Sequence, residues 1–426
     1  MRSIAVILMC GLTLAVSFLP TPDQLEPGPE PARVIPPVSV CPIFEVGERR
    51  TSVSVLSSVN GPGRLSMFSA GEATRVLDFR TGRTGSVTIP ASDVAAVGVA
   101  GGLIEMPSDT TASGVVIAGG GSLAAESCAD IPSGQAFIAG GSTASGAAFD
   151  VQLVNPYAGE AVVDLTVTTD AGIESDERFD AVIVPALSSI TLDLTQIIGG
   201  RDSISVNIET SRGSVLAFGR QTTDQRTAVW RAVAPGQDWW LPVPEGGDTK
   251  ELVIGSPTNA EIEYQVDLYG PAGVVESFAS GTIGPRGMAV LSLTTETTEA
   301  VGVRVITTGP VVSSLWIDSA AGFASTTGSQ VDAPVWFLPG ASLPVGGVGS
   351  AVVLNTGIES VTVAFRSLNQ TPLTRSLPVS PEGLLVVPLV QADGYRIEAT
   401  GPVVALWTSQ LEGAGTAAMG IPVQDG

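Results

Sequence analysis

Along most of this chain hydrophobic and polar residues alternate with a period of two, in short runs that stop at turn-forming residues. Val163-Asp164-Leu165-Thr166-Val167 leads to Asp170-Ala171-Gly172, and Tyr264-Gln265-Val266-Asp267-Leu268 leads to Gly270-Pro271-Ala272-Gly273. Val361-Thr362-Val363-Ala364-Phe365 leads in the same way to Asn369-Gln370-Thr371-Pro372. Period two places every second side chain on one face of a strand, and glycine, proline or asparagine after it closes a hairpin. No stretch carries the 3.6-residue period of an amphipathic helix.

The runs recur in a fixed series. An aromatic strand comes first (Ala136-Phe137-Ile138, Trp240-Leu241-Pro242, Trp336-Phe337-Leu338), with Trp240 aligned on Trp336. A strand ending in a polar turn follows, at Asn155, Ser256 and Asn355, spaced by 101 and 99 residues. After the alternating run come Val184-Pro185, Gly284-Pro285 and Ser380-Pro381, each before another strand, with proline spacings of 100 and 96 residues. Gly213-Ser214-Val215, Gly309-Pro310-Val311 and Gly401-Pro402-Val403 open the last strand. A degenerate earlier copy fits Ser52–Leu56, Ser86–Pro90 and Ser113–Ala118, with Cys41-Pro42-Ile43-Phe44 in place of the aromatic strand. Self-similarity at this period marks a repeat architecture.

Some one hundred residues with six or seven short strands predict an immunoglobulin-like sandwich. The expected fold class is therefore all-β: tandem immunoglobulin-like β-sandwich repeats after an N-terminal apolar segment. The expected divisions are an apolar segment over 1–19, a proline-rich linker over 20–40, a degenerate repeat over 41–130, and repeats over 131–235, 236–334 and 335–426. A β-propeller is the alternative, although a blade usually needs only about 40 to 50 residues.

The N-terminus changes the compartment. Arg2 precedes the uncharged run Ile4–Leu19, the pattern of a secretory signal or, if retained, of a membrane anchor over residues 4–19. Six prolines between Pro22 and Pro37 favour extended polyproline geometry, a spacer reaching about 60 Å. Of three cysteines, Cys10 lies in the apolar run, which leaves Cys41 and Cys128 as a pair for the exported part. An even pair in an exported chain predicts a disulfide, here joining the two ends of the first repeat.

With 20 basic against 42 acidic residues the net charge is −22. No basic cluster exists to displace counterions, so nucleic acid is excluded as a partner, and contact with a membrane is expected only through a retained N-terminal segment. The chain has no histidine, which removes histidine-based triads and imidazole metal sites. Gly119-Gly120-Gly121 lacks the helix that a phosphate loop requires. Glu160 with Asp164, and Glu261 with Glu263, lie beside hairpins at positions that read as solvated strand faces rather than as a glycosidase pair. No catalytic residue, cofactor site or metal site is expected. Trp239 is the candidate for an interface or ligand contact, because neighbours on a strand face opposite ways and Trp240 is taken as core.

The segments LVNPYAGEAVVDLTVTTDAG, VPALSSITLDL and TGPVVALW, behind an apolar segment and a proline-rich spacer, resemble an exported actinobacterial family catalogued as domain of unknown function family 5719. The resemblance runs over most of the chain after about residue 45. It implies an envelope or surface-glycan context, since members are often encoded near a glycosyltransferase, and it carries no catalytic residues. The expected function is that of a non-catalytic protein of the cell envelope or exterior, presenting sandwich surfaces to a protein or glycan partner. The alternatives are an array of carbohydrate-binding modules and, more remotely, a carboxylate-dependent glycan hydrolase.

Overall fold

The computed structural model describes residues 38–43, 50–57, 59–69, 72–81, 86–90, 101–106, 111–129, 134–224, 226–270, 273–293, 299–319, 322–339, 347–368, 375–389, 394–411 and 414–423. The apolar segment, nearly all of the proline-rich linker, Phe44 and the Asn369–Pro372 turn lie outside them.

The described chain is mostly antiparallel strand, arranged as four pairs of sheets of four or five strands each. One sheet of the first pair has the order Ser86–Ile89, Arg50–Ser57, Thr111–Gly119, Ser122–Ser127; its companion is Val38–Pro42, Gly101–Glu105, Pro62–Ser69, Glu72–Arg80. The same order returns in the second pair: Ser188–Asp193, Ala147–Asn155, Leu216–Thr223, Arg226–Arg231, facing a sheet that runs from Gly172–Glu174 to Gln135–Ile138. In the third and fourth pairs one long strand, Val301–Ser319 or Tyr395–Leu411, serves both sheets. It passes from one sheet to the other at Gly309-Pro310 or Gly401-Pro402, which explains why that dipeptide repeats. The alternating runs behave as their period demands: from Val163 to Val167, and again from Val361 to Phe365, odd positions are buried and even ones less so or exposed.

Asn155 and Asn355 show why the repeats share a polar turn. Each is fully buried, and each amide nitrogen donates to three carbonyls: Gly159, Val184 and Pro185 in one case, Glu359, Val379 and Ser380 in the other. One side chain thus satisfies the loop backbone at the end of the sandwich. Ser256 occupies the third copy, where its amide donates to Gly287 as Asn355 donates to Gly383.

The four sandwiches do not form an open row. The last strand of each pair, Ser122–Ser127, Arg226–Arg231, Gly322–Thr327 and Ala414–Met419, packs against its counterparts on both sides, and the fourth packs against the first. Their hydroxyls and carboxylate bridge the joins. Thr227 N donates to Ser122 Oγ at 3.0 Å, Thr327 Oγ1 to Arg231 O at 3.2 Å, Met419 N to Thr326 Oγ1 at 3.1 Å, and Ala125 N to Thr416 Oγ1 at 3.1 Å. Ser127 Oγ adds a bond to Met419 O at 2.8 Å. The result is a closed ring in which the sheets ending in these strands are inner sheets, placed about an axis much as propeller blades are.

The companion sheets fill the widening gaps between inner sheets. The glycines there lie close against the next unit: Gly101 against Val154, Gly255 against Phe137, Gly302 against Leu354 and Gly394 against Leu56. Each contact joins the outer sheet of one sandwich to the inner sheet of the next, including the fourth to the first. The first sandwich is also locked covalently. Cys41 and Cys128 form a disulfide with Cα atoms 4.5 Å apart, beside the bridge between Val40 and Ala129. The equivalent bridges, Phe137 with Val233 and Trp240 with Ser329, have no covalent reinforcement.

Candidate functional site

Trp239 is buried, with 1% of its surface accessible, and its indole nitrogen donates to Gly236 O and Val311 O. Trp336 makes the same two bonds, to Ala333 O and Val403 O. Trp239 is therefore the counterpart of Trp336, and the sequence alignment of Trp240 on Trp336 is off by one residue. The two tryptophans also exchange the faces expected of them. Trp240 pairs with Arg304 and Pro242 with Gly302, so these four share a face, and a Cβ on Gly302 would meet Leu354 of the fourth sandwich. Trp240 faces the neighbouring unit, under Arg304 at 4.7 Å, while Trp239 fills its own sandwich. Arg304 is held by Asp238 at 2.7 Å, which raises its pKa. Arg396 over Phe337, at 5.9 Å, repeats the arrangement.

The other acidic candidates face solvent on the strands Ala161–Thr169 and Ile262–Gly270 or at the turns just before them. Glu160 is exposed and ion-paired with Arg212, and Asp164 accepts from Ala181 N at 2.8 Å. Glu261 and Glu263 are exposed. Gly119-Gly120-Gly121, all with positive φ, turns one inner strand into the next. Among the described residues no group of three or more cysteine or acidic side chains is placed to hold a metal ion.

Glu126 was invisible to pattern reading, yet it is a fully enclosed carboxylate. It sits on the innermost strand of the first sandwich and accepts from Ser127 N at 2.7 Å and from Arg231 N, on the second, at 3.2 Å. Desolvation pushes its pKa up to about 7, against the opposing pull of Arg231 and the two amides.

The joins differ most in what fills them. Between the second and third sandwiches lies a run of rings: Phe149 stacks on Trp230 at 5.6 Å, Trp230 meets Trp316 edge-on at 5.7 Å, and Trp316 meets Phe323 at 5.4 Å. The strand register identifies the counterparts at the next join. Val311 and Val403 hold the same place, so Trp316 corresponds to Thr408, and Phe323, paired with Asp318, corresponds to Gly415, paired with Gln410. By the same register Trp230 corresponds to Thr326, and Phe149 to Lys250, the only lysine of the chain.

Four rings are thus replaced by Lys250, Thr326, Thr408 and Gly415, and a cleft of about 540 Å³ opens there. One wall is the face of the fourth inner sheet carrying Ser350, Val352, Val386, Pro388, Thr408 and Gln410. The opposite wall holds Ile317, Ser319 and Ala324, and Glu245 and Asp248 stand on the rim. Lys250 is buried behind that rim, donating to Pro244 O at 2.9 Å, and burial lowers its pKa to about 8.

The sequence profile of a family of unknown function (DUF5719) matches residues 105–319. Curated proteins give no match. Among solved structures, the Streptomyces avermitilis alpha-L-rhamnosidase complexed with L-rhamnose aligns at 10% identity and a TM-score of 0.13, over 85% of this chain and 53% of that one, so this chain spans about half its length. A tetra-tandem repeat from the extending region of a large adhesion protein aligns at 12% identity and a TM-score of 0.12, covering 91% and 99% of the two chains. The native E. coli alpha-2-macroglobulin aligns at 9% and 0.12, covering 89% and 28%.

Proposed function

This chain belongs to the family of unknown function DUF5719, and from that premise we propose that it is an exported, non-catalytic interaction protein of the cell envelope. Its ring of sandwiches holds a fixed surface toward a glycan or protein partner. The observation that carries the reading is ring closure. All four innermost strands are committed to bridging neighbouring units, three through hydroxyls and the second through the backbone of Thr227 and Arg231, an arrangement that gives rigidity and spacing rather than a moving catalytic cleft.

The disulfide and the acidic surface suit an oxidising, extracellular setting, and the apolar N-terminal run suits export. Co-sedimentation of the full chain with washed envelope material from its source organism tests this. Saturable binding with no release of soluble carbohydrate is the expected result. Fragments that accumulate with time would make the protein a hydrolase, and an unbound supernatant would remove the envelope partner.

A further inference from the structure

We propose that the cleft between the third and fourth sandwiches binds a short neutral sugar segment. The proposal deepens the envelope reading by naming the chemistry of the partner, and it rests on that reading only for the source of the sugar.

The equivalent join between the second and third sandwiches is closed by rings. The third–fourth join has lost all four and kept a cavity of about 540 Å³, within the usual size of a ligand pocket. What replaces the rings is hydrogen-bonding chemistry. Ser319, Ser350, Thr408 and Gln410 line the space between patches formed by Ile317, Val352, Val386 and Pro388, the Ser319 hydroxyl donating to Gly322 O and that of Thr408 to Ser350 O. A purely apolar occupant would strip water from the Ser350 hydroxyl and the Gln410 amide without returning hydrogen bonds, at a cost for each.

The charges on the rim are Glu245 and Asp248, acceptor-only groups when ionised, so the occupant must bring donors. Among the described residues no arginine lines the cleft, and Lys250 is turned toward the Pro244 carbonyl, which disfavours an anion. Donors and acceptors on an uncharged frame that also carries C–H faces describe a sugar ring. The backbone of Gly246 and Gly247 on the same rim allows close approach.

The test is saturation-transfer NMR on the full chain with a panel of neutral hexoses, deoxyhexoses, N-acetylhexosamines and their disaccharides. A uronic-acid disaccharide and tryptamine serve as contrasts. At least one neutral sugar is expected to bind, with the uronate about tenfold weaker or worse. Thr408→Trp restores the ring that the third sandwich carries at this place and is expected to abolish the signal. Asp248→Asn, on the exposed rim, is expected to weaken the neutral sugar severalfold and to narrow its advantage over the uronate, which covers the case of a misfolded Thr408→Trp. Absence of signal from every neutral sugar overturns the proposal, as does unchanged binding in a folded Thr408→Trp. Tryptamine bound in their place would assign the cleft to a cationic aromatic segment of a protein instead. Wild-type envelope binding without sugar in the cleft sinks this site alone, whereas loss of envelope binding sinks the broader reading.

Discussion

Single residues carry more of this protein's specificity than their types suggest. Asn155 and Asn355 look like ordinary turn formers, but each serves three loop carbonyls from a fully buried position. Glu126 is the opposite case, an acidic residue in a run of small ones that ends up without solvent. Its folded pKa, about 7, lies above that of an unfolded glutamate, so the native state holds the extra proton between the two values. Its contribution to stability is therefore fully present below the unfolded pKa and is lost as pH rises through about 7, a change of roughly 3 kcal/mol at most. Glu126→Gln should flatten the dependence of melting temperature on pH between 5 and 8 and leave the variant more stable than wild type at pH 8. A wild-type profile already flat over that range would contradict the enclosed carboxylate.

At the scale of elements, three of the four strands that hold the ring together are the least strand-like in sequence. SLAAES, GFASTT and AGTAAM are rich in alanine, glycine, serine and threonine and show no sustained alternation. They are buried on both faces because adjacent sandwiches crowd the axis, and small side chains let backbones approach there. Alternation could not reveal them, since neither face is wet. The disulfide acts on the element next to one such strand, tying Cys128 to the first strand of its own sandwich. Closing a loop of 87 residues stabilises by about 4 kcal/mol in the chain-entropy account. Replacing both cysteines by alanine should lower the first melting transition by several degrees, with the loss of protection read by amide hydrogen exchange in residues 38–129. Uniform loss over all four sandwiches would instead show that the ring melts as one unit.

The four sandwiches together behave as a ring, and that changes what a deletion does. Independent sandwiches in a row would survive loss of the last one. Here the fourth covers Leu56 and the outer face of the first innermost strand, and its Thr416 and Met419 bond Ala125 and Ser127. Removing residues 335–426 should expose two apolar faces, so the truncated chain should bind a hydrophobic dye and melt without a sharp transition. A sharp, unshifted melt would mean that the first three sandwiches need no closure.

What the sequence determined by itself was local: strands from period two, turns from glycine, proline and asparagine, the cysteine pair from parity, and the repeat from recurrence every hundred residues or so. The family resemblance was legible in the same strand and turn segments. Ring closure, the exchanged faces of Trp239 and Trp240, the buried Glu126 and the third–fourth cleft were decided by tertiary structure. Each depends on which surfaces meet between residues far apart in the chain. A one-residue register difference reverses every side chain on a strand, and a cavity is defined by rings missing from one join but present in its neighbour. Neither quantity exists until the repeats are stacked against one another.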